Sequence, residues 1–140
     1  MKTIFLPAKW KGKIQLDKKM IDSLPKTICL ISSVQFVHLL DDINSQLTGK
    51  KVMLKKGKQL SPGQILGCDA SVVDRVDAEA FLYVGDGQFH PLAVAIKTDK
   101  PVFCLDPFTN QLAQLKKEDI VAAIKYSADI LKDEKAFALR

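Results

Sequence analysis

Short runs that are apolar on both faces alternate with longer amphipathic runs, and this alternation fixes the class of fold open to the chain. Thr27–Ser32 (TICLIS), Glu79–Val84 (EAFLYV) and Pro101–Leu105 (PVFCL) show little of the polar alternation of a half-exposed strand. A strand with two apolar faces has to be covered on both sides, the situation of a parallel sheet. The segments between them carry a helical period. Asp17–Leu24 puts Met20, Ile21 and Leu24 on one face and is stopped by Pro25. Val34–Leu47 gathers Phe36, Val37, Leu40 and Leu47 near one face, with Gly49 as its stop. A helix from Gln88 or His90 to Lys97 tolerates Pro91 in its first turn. Lys117–Leu139 reads as a long helix with Ile120, Ala123, Ile124, Ala128 and Leu131 as its inner face, and Glu118 and Asp119 suit its positive end. Thr3–Leu6 and Lys51–Leu54 read as further strands, and Ala70–Val76 as a short helix. Strand and helix in alternation make βαβ units. The expectation is one α/β domain over residues 1–140, with a mainly parallel sheet flanked by helices on both faces.

Length and composition agree with a single domain. The chain has 140 residues, 47% hydrophobic and 26% charged, which excludes a disordered or collagen-like chain. No fully apolar run exceeds five residues, so no membrane-spanning helix is expected. The opening MKTIFLPAKWKGK lacks the apolar length of a secretory signal, and a cytoplasmic location is the expectation. Charge is unevenly spread: residues 1–60 hold twelve Lys and four Asp (+8), and residues 61–140 hold nine Lys or Arg and twelve Asp or Glu (−3). Lys50, Lys51, Lys55, Lys56 and Lys58 form the densest cluster. They read either as a solvated strand edge or as a patch for an anionic partner. No aromatic residue is interleaved with them, so direct nucleic-acid binding is not expected.

Three cysteines stand far apart, with no Cys-x-x-Cys pair, which argues against a self-contained zinc site. Cys29 and Cys104 lie inside strand-like runs and read as small core residues. Cys68 differs, following Pro62-Gly63-Gln64-Ile65-Leu66-Gly67 in a segment that bends easily. Ligands of open α/β sheets bind beyond the carboxyl ends of the strands. Three loops fall there: Ser32-Ser33-Val34-Gln35, Gly85-Asp86-Gly87-Gln88-Phe89-His90 and Asp106-Pro107-Phe108-Thr109. Gly85 and Gly87 allow close backbone approach, and the helix that follows points free N–H groups outward. The loop matches neither a Walker A sequence nor GxGxxG. His90 reads as a base, a ligand or a packing residue. His38 stands four residues from Asp42 and reads as its ion-pair partner.

The same segments carry a family resemblance. Ile65-Leu66-Gly67-Cys68-Asp69, the run from Asp77-Ala78 through Phe81-Leu82-Tyr83-Val84-Gly85-Asp86-Gly87-Gln88-Phe89-His90-Pro91, and Pro101 through Thr109 resemble the radical enzymes of diphthamide synthesis, the 2-(3-amino-3-carboxypropyl)histidine synthases, above all archaeal ones. Phe5-Leu6-Pro7-Ala8, Ser32-Ser33-Val34-Gln35 and Pro62-Gly63-Gln64 fit the same family in the same order.

The resemblance implies three similar α/β domains, each giving one cysteine to a [4Fe–4S] cluster, with this chain similar to the central domain and Cys68 at its metal-ligand position. It implies S-adenosylmethionine as substrate, cleaved reductively to a 3-amino-3-carboxypropyl radical that attacks a histidine of translation elongation factor 2. Ser33, Gln35, Gly85, Asp86, Gly87 and His90 would then shape the nearby S-adenosylmethionine pocket. Companion domains or subunits are expected, because a cluster needs three or four protein ligands and Cys68 alone stands at such a position here. The chain alone is therefore expected to be an incomplete transferase. The alternative is a non-catalytic module of the same descent that contacts elongation factor 2 or a companion subunit. The family commonly has Arg after Gly-Asp-Gly, where this chain has Gln88, which removes a fixed charge and a bidentate donor.

Overall fold

The computed structural model describes residues 1–4, 6, 8–59, 61–66 and 69–138, and leaves out the side chains of residues 131 and 133–138. Helix α1 (Lys18–Ser23) opens under Asp17, whose Oδ1 accepts from the Met20 amide at 2.8 Å. Strand β1 (Thr27–Ser32) follows, then a 3₁₀ turn (Val37–Leu39) running into α2 (Leu40–Gln46), then β2 (Lys51–Met53). A second 3₁₀ turn (Ser71–Val73) precedes β3 (Ala80–Val84) and α3 (Phe89–Lys97). Strands β4 (Val102–Asp106) and β5 (Gln111–Gln114) and helix α4 (Lys117–Ala138) complete the chain.

The sheet order is β2-β1-β3-β4-β5, with β1, β2, β3 and β4 parallel and β5 antiparallel to β4. The expectation of a mainly parallel sheet covered on both faces is met, and its cause is visible residue by residue. Along β1, Cys29 and Ile31 face one layer while Ile28 and Leu30 face the other. Phe81 and Tyr83 of β3 join the first layer, and Leu82 and Val84 the second. The first layer is closed by Val72 and Val73, by Val94 and Ala95 of α3, and by Ile120 of α4. The second is closed by α1 and α2, through Leu24, Leu40 and Ile43, with Phe36 and Trp10.

Several expectations are corrected. Thr3, Ile4 and Leu6 are exposed and in no strand, and Phe5 lies outside the described residues. The expected Val34–Leu47 helix is a turn, a 3₁₀ segment and a shorter helix, because the Phe36 and Val37 amides turn back to the Ser33 carbonyl instead of starting an α-helix. Ala70–Val76 contracts to one 3₁₀ turn. His38 does not pair with Asp42. Its Nε2 meets the Trp10 carbonyl at 2.8 Å, and Asp42 accepts from Gln46 instead. In α4, Ile120 packs as expected, but Ile124 is 48% exposed and Ala128 is exposed as well. A 22-residue helix runs about 33 Å at 1.5 Å per residue, well beyond the five-residue strands beneath its start.

The lysine cluster is partly structural. Lys50 donates to the Leu24 carbonyl and Lys55 to the Asp74 carbonyl, so two of the five ammonium groups tie loops down. Lys51 sits on the edge strand β2, where a charged side chain discourages pairing with another chain.

Candidate functional site

The strand order places a crevice at the carboxyl ends of β1 and β3, because the chain leaves β1 for β2 on one side and returns to β3 on the other. Ser32 closes the bottom of this crevice. It is fully buried, and its Oγ donates to the Val84 carbonyl at 2.6 Å. Its backbone pairs outward: the Ser32 amide donates to the Gly63 carbonyl at 2.8 Å, and the Ile65 amide to the Ser32 carbonyl at 2.9 Å. Segment 63–65 thereby extends the sheet beside the end of β1. Gly63 permits this with φ of +78° and close approach; a Cβ there would lie 2.6 Å from Leu40 Cδ1 and 3.0 Å from the Leu30 carbonyl.

This extension carries the flanks of the expected metal ligand. Leu66 and Asp69 exchange backbone hydrogen bonds of 3.0 and 3.1 Å. Gly67 and Cys68, between them in sequence, lie outside the described residues. Asp69 braces its side of the pair: Oδ1 accepts from the Ser71 amide at 3.0 Å and Oδ2 from Gln59 Nε2 at 2.6 Å. The Gln59 bond, then those from Ser71, with a smaller contribution from Lys58, hold its carboxyl down at about 2.

The Gly85–His90 loop stands over the end of β3. The Gly85 amide donates to the Leu105 carbonyl at 3.1 Å, which carries the ladder one residue past the strand. Gly87 has φ of +67° and open space where a Cβ would be. Asp86, Gly87 and Gln88 are exposed, and Gln88 opens α3 without a side-chain cap. His90 is half-buried and stacks on Tyr83, with ring centroids 6.2 Å apart and planes 11° off parallel. The geometry brings out its packing role. A cleft of about 270 Å³ runs from Gly85, Gly87 and Gln88 past Cys104 to Asp106, Thr109 and Gln111, so residues of two expected loops share one hollow, which His90 does not line.

Ser33 and Gln35 lie at the end of β1. Ser33 is half-buried and its side chain neighbours the Tyr83 hydroxyl. The Gln35 carbonyl accepts from the Trp10 amide at 3.1 Å, and no side-chain hydrogen bond forms among the described residues. On the same edge Trp10, Phe36 and Phe108 make a triangle with all three centroid separations at 5.9 Å. Tyr83 was not singled out by the sequence reading. The signal for it is a hydroxyl-bearing residue in a strand buried on both faces, just before a Gly-x-Gly turn.

Cys29 takes the core position expected of it, whereas Cys104 is only half-buried, packing against the first layer from the side and lining the cleft beside Gly85 and Gln88. Burial raises the Cys29 thiol to about 11 and the Cys104 thiol to about 12. Among the described residues no three His, Cys, Asp or Glu side chains gather as a metal site. The described donors therefore do not fit a complete [4Fe–4S] ligand set. One consequence is measurable. A thiol moved from 9.0 to about 12 has about a thousandfold less thiolate at pH 8. Iodoacetamide at that pH should leave Cys29 unmodified in the native protein over the time that free cysteine reacts fully, and label Cys104 only slowly through the cleft, read by peptide mass spectrometry. Fast native labelling of Cys29 would contradict its core assignment.

Comparisons with known proteins agree with this geometry. The family model described as "Putative diphthamide synthesis protein" matches residues 1–138. The 2-(3-amino-3-carboxypropyl)histidine synthase of Pyrococcus horikoshii is 33% identical over 127 residues, covering 85% of this chain and 37% of the relative. Subunit 1 of the Schizosaccharomyces pombe enzyme is 32% identical over 111 residues, covering 72% of this chain and 26% of the relative. The crystal structure of Dph2 from Pyrococcus horikoshii matches with a TM-score of 0.68 at 32% identity, over 75% of this chain and 32% of that one, and so does its form with a 4Fe-4S cluster. The chain thus spans about a third of the length of these relatives. With a family match from residue 1 to 138 and these relatives behind it, the chain belongs to the diphthamide synthesis protein family.

Proposed function

We propose that this chain is the central-domain component of a 2-(3-amino-3-carboxypropyl)histidine synthase, and that Cys68 gives one thiolate to a [4Fe–4S] cluster shared with companion domains or subunits. The observation that carries the reading is the Leu66–Asp69 pair. It anchors both flanks of residues 67–68 beside the carboxyl end of β1, at the edge where Ser33, Gly85 and His90 also lie. When bound, the cluster supplies the electron for cleaving S-adenosylmethionine. The chain's own residues bind and orient. Gly85, Asp86 and Gly87 give an open backbone, Ser33 and Gln35 border the opposite strand end, and His90 is fixed by its stack on Tyr83. The group transferred would be 3-amino-3-carboxypropyl, and its acceptor a histidine of elongation factor 2, in the cytoplasm.

The test is anaerobic reconstitution with iron and sulfide, with the chain alone and with companion domains, followed by absorption and electron paramagnetic resonance. A cluster is expected only in the mixture, and it should be absent from the Cys68→Ala mixture. A normal cluster in that variant would overturn the assignment. A second reading, a non-catalytic assembly module, draws on α4. Val121 (56% exposed), Ile124 and Tyr126 (70% exposed) leave apolar surface uncovered. The occupant this reading names is the remaining two-thirds of the relatives' length, supplied as a companion. It is favoured if Ile124→Lys abolishes association with the companion while no mixture forms a cluster.

A further inference from the structure

Strand β5 ends the sheet, and its outer side has no strand beside it among the described residues. The phase of the β4–β5 ladder decides which backbone groups point that way. In an antiparallel pair, residues alternate between exchanging both hydrogen bonds with their partner and turning both groups away from it. The Leu115 amide donates to the Val102 carbonyl at 2.9 Å, so this pair is bonded, and with it Ala113–Cys104 and Gln111–Asp106. The pairs between them, Gln114–Phe103 and Leu112–Leu105, are turned away. Leu105 agrees with this phase, because its carbonyl faces the other way and accepts from the Gly85 amide at 3.1 Å. Leu112 and Gln114 therefore each aim an N–H and a C=O past the edge of the sheet. No loop or side chain takes them up among the described residues.

Such an edge is a template for another strand, and folded proteins commonly block it with charge, proline or a bulge. The opposite edge strand, β2, carries Lys51. β5 reads Gln111-Leu112-Ala113-Gln114 in unbroken register, with none of these devices. Beside it a groove of about 430 Å³ runs between β5 and α1, lined by Met20, Leu112 and Ala113 together with Asp17, Lys19 and Ser23. An incoming strand finds room there for its side chains.

We propose that β5 pairs antiparallel with β5 of a second copy of this chain, about a twofold axis through Ala113, joining the two sheets into one. Three features choose a second copy over another strand. The edge is self-complementary: with Ala113 facing its own mate, Leu112 of each copy lies opposite Gln114 of the other, and their outward N–H and C=O groups pair off with none left over. Ala113, exposed and small, suits the close unbonded pair at the axis, where Cα atoms stand roughly 4.5 Å apart. Charge agrees as well. The axis reverses α1 against its mate and brings Lys19 of one copy towards Asp22 of the other; both are exposed, and neither has an ion-pair partner among the described residues. A twofold contact closes on itself, so the product is a dimer and not a fibre. Short strands bury little area, which sets the association in the micromolar range.

The test is sedimentation velocity on the 140-residue chain from about 5 to about 500 µM, a span that covers micromolar association. A monomer–dimer equilibrium is expected. Gln114→Pro removes only an outward N–H and leaves the ladder to β4 whole, so the circular dichroism should be kept while association falls at least about tenfold. Ala113→Lys and Ala113→Glu set like charges face to face at the axis, and each alone should be monomeric. Mixed in equal amounts they should dimerise again, a rescue that misfolded variants could not give and that requires Ala113 to face Ala113. A chain that stays monomeric up to the highest concentration would overturn the proposal. So would a dimer indifferent to Gln114→Pro, or a charged mixture that stays monomeric. Protection of the Leu112 and Gln114 amides from hydrogen exchange only after companion domains are added would assign the edge to a companion and overturn it too. Iron plays no part in these measurements, so the reconstitution experiment judges the proposed function separately.

Discussion

Phe36→Ala should destabilise the chain by about 3–5 kcal/mol, the range for removing a fully buried aromatic ring. Phe36 is completely buried and packs with Leu30, Leu40, Leu82 and other residues of the layer under α1 and α2. Its ring also makes two sides of the triangle with Trp10 and Phe108. Alanine would lose those contacts and leave a cavity that the turn at Ser33 is poorly placed to fill. Because total stability of a domain is about 5–15 kcal/mol, this one change would consume a large part of it. Urea unfolding followed by circular dichroism measures the loss from the shift in midpoint at constant slope. A cost under about 1 kcal/mol would mean that the triangle and the layer beneath it contribute little. The effect should reach the site as well. Phe36 holds the turn that carries Ser33 and Gln35, and its amide donates to the Ser33 carbonyl at 3.1 Å.

The parts of the fold legible in sequence are those set by burial on both faces. The runs TICLIS, AFLYV and VFCLD carry the period of covered strands and became β1, β3 and β4. β5 was not legible, since Gln111-Leu112-Ala113-Gln114 is short, polar and mostly exposed, and pairs only because the turn after β4 brings it back. That turn is set by Asp106, whose Oδ1 accepts from the Phe108 amide at 2.8 Å, and by Asn110 at φ of 52°. The start of α2 is not legible in the apolar spacing, which reports a face and not the hydrogen bonds that begin a helix. Of the candidate site, the loop positions were legible as strand ends followed by glycines. Tyr83 was not, because a tyrosine in an apolar strand reads as packing, and only the folded chain brings its hydroxyl beside Ser33 and beneath Gly85.

Gly85→Ala should cost about 2–3 kcal/mol, and most of that cost should lie in one contact. The new Cβ would stand 2.4, 2.6 and 2.9 Å from Oη, Cζ and Cε1 of Tyr83, distances at which something must move. Tyr83 is boxed in by its stack on His90 and by complete burial, so the ring cannot swing clear cheaply. Backbone strain does not enter, because Gly85 does not occupy the left-handed region. The companion change Tyr83→Phe removes the nearest atom. Alone, it should stabilise by about 1 kcal/mol, because a buried hydroxyl without a partner no longer has to leave water. Combined with Gly85→Ala, it should recover at least about 1 kcal/mol more than the two single effects predict by addition. Additive behaviour within about 0.3 kcal/mol would show that Tyr83 does not sit against Gly85 as described.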